Sequence, residues 1–273
     1  MDWSCFAFGE EVDLVAGWKN GLHPASMSIS VLGVEGANSY STIGTAWAFR
    51  KNSDLEITHV WQADDGFQKC KILNKAITAS SGDYLVLTDG DCIPRADFVA
   101  VHRQQAQPGY YLSGGYFKLP MAISEAITPQ DIASGDAFDV DWLVAHGLKN
   151  SHKTMKLTAR GLKAKLYNAI TLTRRTWNGH NASCYKAEAI KVNGFDERMQ
   201  YGGEDCEFGD RLRNSGLKTK QIRYSAVCLH LDHARGYVND ETWAKNRAIR
   251  AKTQENCPDH DGLGLAQPRQ PHG

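Results

Sequence analysis

Two carboxylates, Asp89 and Asp91, stand one glycine apart in the stretch Asp-Tyr-Leu-Val-Leu-Thr-Asp-Gly-Asp-Cys-Ile-Pro-Arg, residues 83 to 95. In an extended chain residues i and i+2 point the same way, so both acids can face one site. Like charges about 4 Å apart repel by a few kcal/mol at a surface-like dielectric, so such a pair persists where a cation or shared proton neutralises it. A second acidic pair, Glu204-Asp205, follows Tyr201-Gly202-Gly203. An acid fixed at a helix start can act as a general base, or merely complement the helix dipole. His230 and His233 close an apolar run, and beside two acidic motifs they suggest metal ligands. The polar loop 177–183, with Trp177 and Asn181, has the indole and amide composition of a sugar-binding loop. A surface turn, a dipole-complemented helix start and a packed loop are the bland readings of the same residues. No single motif decides.

The elements that position these residues follow from periodicity. Tyr84 to Leu87 is a short apolar run between turn signals, which predicts a buried parallel strand carrying Asp89 and Asp91 at its carboxyl end. Leu55 to Trp61 predicts another strand, and Phe67 to Ala79 a helix, through apolar residues three and four apart. A strand–helix–strand unit implies a parallel sheet. Helices are expected over Asp97–Gln107 and Ala187–Val192, and one opening at Glu204 and ending near Gly216. Strands are expected over Tyr110–Leu119 and Lys218–Leu229. Before residue 54, Glu10 to Trp18 suits a helix and Met27 to Val34 a strand. Pro120 to Asp141 reads as acidic and irregular.

Composition narrows the function classes. The 273 residues hold 31 basic and 31 acidic side chains, so no global field draws nucleic acid. Seven scattered cysteines fit reduced thiols rather than a disulfide framework. No apolar run reaches the ~18 residues needed to span a bilayer. Residues 142–186 nevertheless carry nine basic side chains and no acidic one. That patch is either a solvated face or a surface that meets an anionic membrane or a phosphorylated acceptor.

Asp-Gly-Asp, Gly-Gly-Glu-Asp and His-Leu-Asp-His stand in this order, preceded by Gly66-Phe67 through Asn74. The ordered set resembles the family 2 glycosyltransferases of bacteria. The later part is similar to the galactosyltransferase-type half of chondroitin-synthesising polymerases and β-1,4-galactosyltransferases. The likeness covers residues 55 to 235. It implies an α/β fold of the GT-A type, a mostly parallel central sheet flanked by helices, with first strands that are divergent or incomplete. It also implies a UDP-sugar donor, a saccharide or lipid-linked acceptor, a divalent cation (Mn2+ or Mg2+) and inversion at the anomeric carbon.

Carried over by position, Asp89 lies near the donor's ribose and sugar, with Asp65, Gly66 and Asn74 on the same side. Asp91 binds the metal, completed by His230 or His233. Asp205 is the catalytic base, and Glu204, Gly203 and Tyr201 face the acceptor. Leu73 and Tyr201 depart from the Arg and Trp that many relatives carry. The resemblance divides the chain into an unmatched segment 1–53 and a catalytic domain 54–257. Within that domain, 54–119 is the donor and metal half, 120–176 a variable insertion and 177–257 the acceptor half. A disordered tail, 258–273, follows. A cytoplasmic location is expected, at the inner face of the membrane if the basic patch is used. The alternative is a non-catalytic domain of the same fold that binds or scaffolds.

Overall fold

The computed structural model describes residues 13–18, 27–34, 56–62, 66–149, 151–232, 240–255 and 264–265. A seven-stranded sheet is built from β1 (Asp13–Trp18), β2 (Met27–Val34), β3 (Glu56–Gln62), β4 (Tyr84–Asp89), β6 (Tyr110–Ser113), β8 (Ala182–Tyr185) and β9 (Lys218–Gln221), in the order β3-β2-β1-β4-β8-β6-β9. A three-stranded sheet holds β5 (Cys92–Pro94), β10 (Val227–His230) and β7 (Gly115–Lys118), in that order.

The expected α/β fold with flanking helices is present, but its sheets are mixed rather than mostly parallel. In the large sheet only β2·β3 and β6·β9 pair in parallel. β4 is antiparallel to both neighbours, β1 and β8. It is buried as expected, because Leu85 and Leu87 enter one core while Tyr84 and Val86 enter the core on the opposite face. β3 and β4, joined by helix α1 (Lys69–Ala79), run the same way, yet β2 and β1 lie between them. The strand–helix–strand unit therefore kept its direction and lost its adjacency. Residues 13–18, expected as helix, form a strand instead; alternate pairing on both edges outweighs local helix preference.

Two long strands expected from sequence are each broken at a corner. Gly114 separates β6 from β7, and residues 222–226 separate β9 from β10. Each chain leaves the large sheet there and joins the small one. Gly114 lacks a Cβ because that atom would lie 1.8 Å from the Asn181 side chain. The Ile222 amide donates to Ser113 O and the Gly115 amide to Ala226 O, which ties the two corners together.

The segment expected to be irregular, 120–141, instead contains α3 (Met121–Ala126), α4 (Pro129–Ser134) and the start of α5 (Val140–Ala145). Thr128 and Asp131 cap α4 reciprocally, with Pro129 at its first position. With α6 (Met155–Thr158), these helices cover the small sheet. Ile123, Leu143 and Leu157 pack there on Phe117, Val227 and Leu229. The 258–273 tail expected to be disordered is tied down at Leu265, which is buried in the main core and donates its amide to Asn193 O. The other residues of that tail lie outside those described. The described cysteines are free. No helix among the described residues is long and apolar enough to cross a membrane.

Candidate active site

β4 ends at Asp89, and the chain turns at Gly90 into β5. β5 pairs with β10 so that Cys92 is opposite His230, and the Leu231 amide donates to Asp91 O. This register brings His230 Nε2 to 3.4 Å from Asp91 Oδ2. His230 Nδ1 donates to Leu231 O at 2.8 Å, since a carbonyl can only accept, so Nε2 is the nitrogen turned to the carboxylate. An imidazole nitrogen and a carboxylate oxygen at that separation call for a proton or a cation between them.

Asp91, Cys92 and His230 could together hold a metal ion, with ligand atoms within 4.8 Å of one another. A carboxylate suits Mn2+ or Mg2+, and an imidazole beside it favours a first-row transition metal over Mg2+. The Cys92 thiol is held protonated, because burial and then Cys228 push its pKa well up. The donor set thus fits a divalent first-row metal such as Mn2+ through Asp91 and His230. His233 and Asp65 lie outside the described residues.

The other half of the site is built on helix starts. Lys69 opens α1 and donates a 2.7 Å hydrogen bond to Asp89 Oδ1. Asp205 lies in the first turn of α9 (Glu204–Asn214), whose N-cap, Gly203, has φ +91. A Cβ on Gly179 would sit 2.8 Å from Asp205 Oδ2 and 2.9 Å from Lys69 Nζ. Lys69, bonded to Asp89, therefore shares with Asp205 a niche that the missing Cβ of Gly179 leaves open.

Asp205 Oδ1 is buried without a hydrogen-bond partner. Burial raises the Asp205 pKa, Lys69 opposes that rise, and Asp89 adds to it. Glu204 is pushed up to about 7, chiefly by burial and then by Asp205, while its Oε2 accepts the Gly202 amide at 2.8 Å. His180 is pulled down to about 4 by burial, with Asp89 opposing and His230 reinforcing. Its ring lies 4.5 Å from that of Tyr116 and 6.4 Å from that of His230.

Tyr201 sits edge-on to Phe67 at 5.4 Å and to Trp243 at 6.2 Å. Trp243 belongs to α10 (Asp240–Gln254), and its indole packs against Gly202, where a Cβ would come within 2.6 Å. On the same helix, Asn246 donates to the carbonyls of Gln200, Tyr201 and Gly202. Thus α10 fixes the loop that delivers Glu204 and Asp205.

Three expected contacts are corrected. Trp177 is not a stacking surface: it is buried against Tyr111 and Phe208. Asn181 is fully buried, its amide spent on Gly115 O, Ala226 O and His102. Asn74 bridges to the backbone of Phe195 and to Glu197, so it staples α1 to a loop rather than reaching a donor. In the two asparagines the amide satisfies internal groups that would be costly to bury alone, whereas Trp177 Nε1 is buried without a partner. Gly66 is exposed with φ +70.

The sequence reading missed Lys69, His180, Trp243 and Asn246. Gly179 was the available signal for Lys69, since a glycine beside an indole marks a close approach.

Residues 163–234 match the family described as the N-terminal domain of galactosyltransferase. Over 197 residues, 64% of the chain, the sequence is 26% identical to the chondroitin synthase of Escherichia coli. That match covers 26% of the relative, so the chain spans about a quarter of its length. A mannosyltransferase from Pyrobaculum calidifontis, solved with GDP-Man and Mn2+, aligns with TM-score 0.47 and 19% identity over 82% of this chain and 52% of that one. That likeness is too loose to bear on function. Over these segments the chain is similar to a galactosyltransferase domain and to a chondroitin synthase, in line with the ordered motifs of its sequence.

Proposed function

We propose that the protein is an inverting, metal-dependent glycosyltransferase. It moves a hexose or N-acetylhexosamine from a UDP-sugar to a saccharide or lipid-linked acceptor in the synthesis of a bacterial surface glycan. The observation that carries this reading is the division of the site. Asp91 and His230 lie 3.4 Å apart, and Asp205, raised in pKa and placed on another motif, shares the niche over Gly179 with the Lys69 that bonds Asp89. A transferase needs those two functions apart, because the leaving diphosphate and the incoming hydroxyl lie on opposite faces of the sugar.

Asp91 and His230 would hold the divalent cation, with Asp89 toward the donor. When bound, the cation stabilises the negative charge that develops on the diphosphate. Asp205 accepts the proton of the acceptor hydroxyl. Its raised pKa makes it a stronger base than an ordinary aspartate. Glu204, Gly203 and Tyr201 line the approach of the acceptor, and Lys69 keeps Asp89 and Asp205 from repelling each other.

The test is a screen of UDP-sugars for UDP release, with and without Mn2+ and with a lipid extract or oligosaccharides as acceptor. Manganese-dependent release with one donor supports the reading. Absence of donor binding by calorimetry at millimolar UDP-sugar and Mn2+ would instead favour the non-catalytic alternative.

A further inference from the structure

Helix α7 (Gly161–Ile170) buries Ala164, half-buries Tyr167 and Asn168, and turns its other residues outward. Leu162, Leu166 and Ile170, spaced by four, form one stripe that is 83%, 58% and 61% exposed, and Leu172 continues it beyond the helix. Three large aliphatic side chains in a row in water are unusual for a helix of a folded domain. Lys163 and Lys165 lie exposed on the helix, and Arg174 and Arg175 lie exposed just after it. From residue 142 to 187 the sequence has no acidic side chain to balance them.

The helix is seated firmly. Asn168 donates to Ser225 Oγ at 2.8 Å and accepts the Tyr224 amide at 2.8 Å, while the Tyr167 ring lies 5.3 Å from that of Tyr224. The outward stripe is therefore a fixed face of the molecule.

We propose that α7 is a docking helix for an anionic lipid surface. Leu162, Leu166 and Ile170 enter the boundary between headgroups and acyl chains, and Lys163, Lys165, Arg174 and Arg175 pair with the headgroup charge. An amphipathic helix with aliphatic residues on one face and lysines beside it lies in the plane of a bilayer, held by both terms together. Each basic residue at an anionic surface contributes about fivefold in partition.

A second copy of the chain fits this face poorly. A helix of this length spans about 15 Å, too narrow a strip for the ~1,200 Å² that a stable interface buries. A two-fold contact would also set the same cations against each other. The proposal does not depend on the transfer reaction.

The experiment is flotation of the full chain, without donor or acceptor, with vesicles of phosphatidylcholine alone or mixed with phosphatidylglycerol, at low and high salt. Binding should appear with the phosphatidylglycerol vesicles only and weaken steeply with salt. Leu166→Glu combined with Ile170→Glu should lower binding at least tenfold, as should Lys163→Glu combined with Lys165→Glu. All four positions are exposed, so both variants should unfold at the parent's temperature. No binding of the parent to the anionic vesicles would overturn the proposal. So would equal binding by parent and variants, or a dimer in sedimentation velocity that the Leu166/Ile170 variant abolishes in place of vesicle binding.

Discussion

The Lys69 ammonium hydrogen-bonds Asp89 at 2.7 Å while reaching the niche over Gly179 that Asp205 also occupies. One cation thus lowers the pKa of Glu204 and of Asp205 against the effect of burial. Lys69→Met should release that restraint and move the alkaline-rising limb of UDP release upward by about one pH unit or more. Lys69→Arg should keep the limb near its original position. A pH profile of both variants, with KM and kcat separated, checks the sign.

Asp205→Asn should leave donor binding intact and reduce transfer by roughly 10²–10⁴-fold, the usual worth of a positioned base. Calorimetry with UDP-sugar and Mn2+ measures the first quantity and UDP release the second. Turnover near the parent's would show that the base lies elsewhere.

Glu204 and Asp205 titrate as a coupled pair, so their pH dependence belongs to both. Both carboxyls are raised, and the base works only when deprotonated. Transfer should therefore fall on the acid side at a pH above the ordinary aspartate range. Stability has the opposite sense. The folded Glu204 holds its proton above the unfolded pKa, so its charging costs stability as pH rises from about 4.5 to about 7. Glu204→Gln should gain roughly 3 kcal/mol at most above pH 7 and little at pH 4, read from denaturant unfolding.

Asp91→Ala and His230→Ala should each abolish the Mn2+ dependence of donor binding. Asp91→Ala should leave the melting temperature measured without metal within a few degrees of the parent's, because Asp91 is partly accessible, whereas loss of the buried His230 ring should cost more. Titration of Mn2+ by its paramagnetic effect on water relaxation gives a direct readout.

Buried His102, pulled down to about 4, bonds Ser183 Oγ at 2.8 Å and Asn181 Oδ1 at 2.9 Å. Its folded pKa lies below the unfolded value, so it withholds no stability above about 6.5 and lowers stability progressively as pH falls toward 4. His180 adds to the same acid limb. Stability should drop by a few kcal/mol between pH 6.5 and 4, and His102→Gln should flatten that slope in urea titrations.

The parts of the site that were legible in sequence are those fixed by short-range pattern. β4 with Asp89, the acids opening α9 and the histidine ending β10 all follow from apolar runs that stop at charged residues. Partners across the fold were illegible. Lys69 at a helix start looks like any solvated lysine until Asp89, twenty residues on, is seen beside it. Asn74, Trp177 and Asn181 misled because composition does not show whether an amide or indole faces water or an internal carbonyl. The mixed sheet was missed for a related reason: helical connections imply strand direction, but not which strands come to lie between.

The twin corners at Gly114 and 222–226 make the metal pair hostage to chain length. His230 meets Asp91 only because β10 aligns Cys92 with His230, and both β7 and β10 inherit their registers from strands that began in the other sheet. One residue added between β9 and β10 would slide β10 by a step against β5 and turn the imidazole to the opposite face. Neither bend holds an exposed residue, and a side chain at Gly114 would strike Asn181, so these connections should tolerate neither an insertion nor a substitution at Gly114.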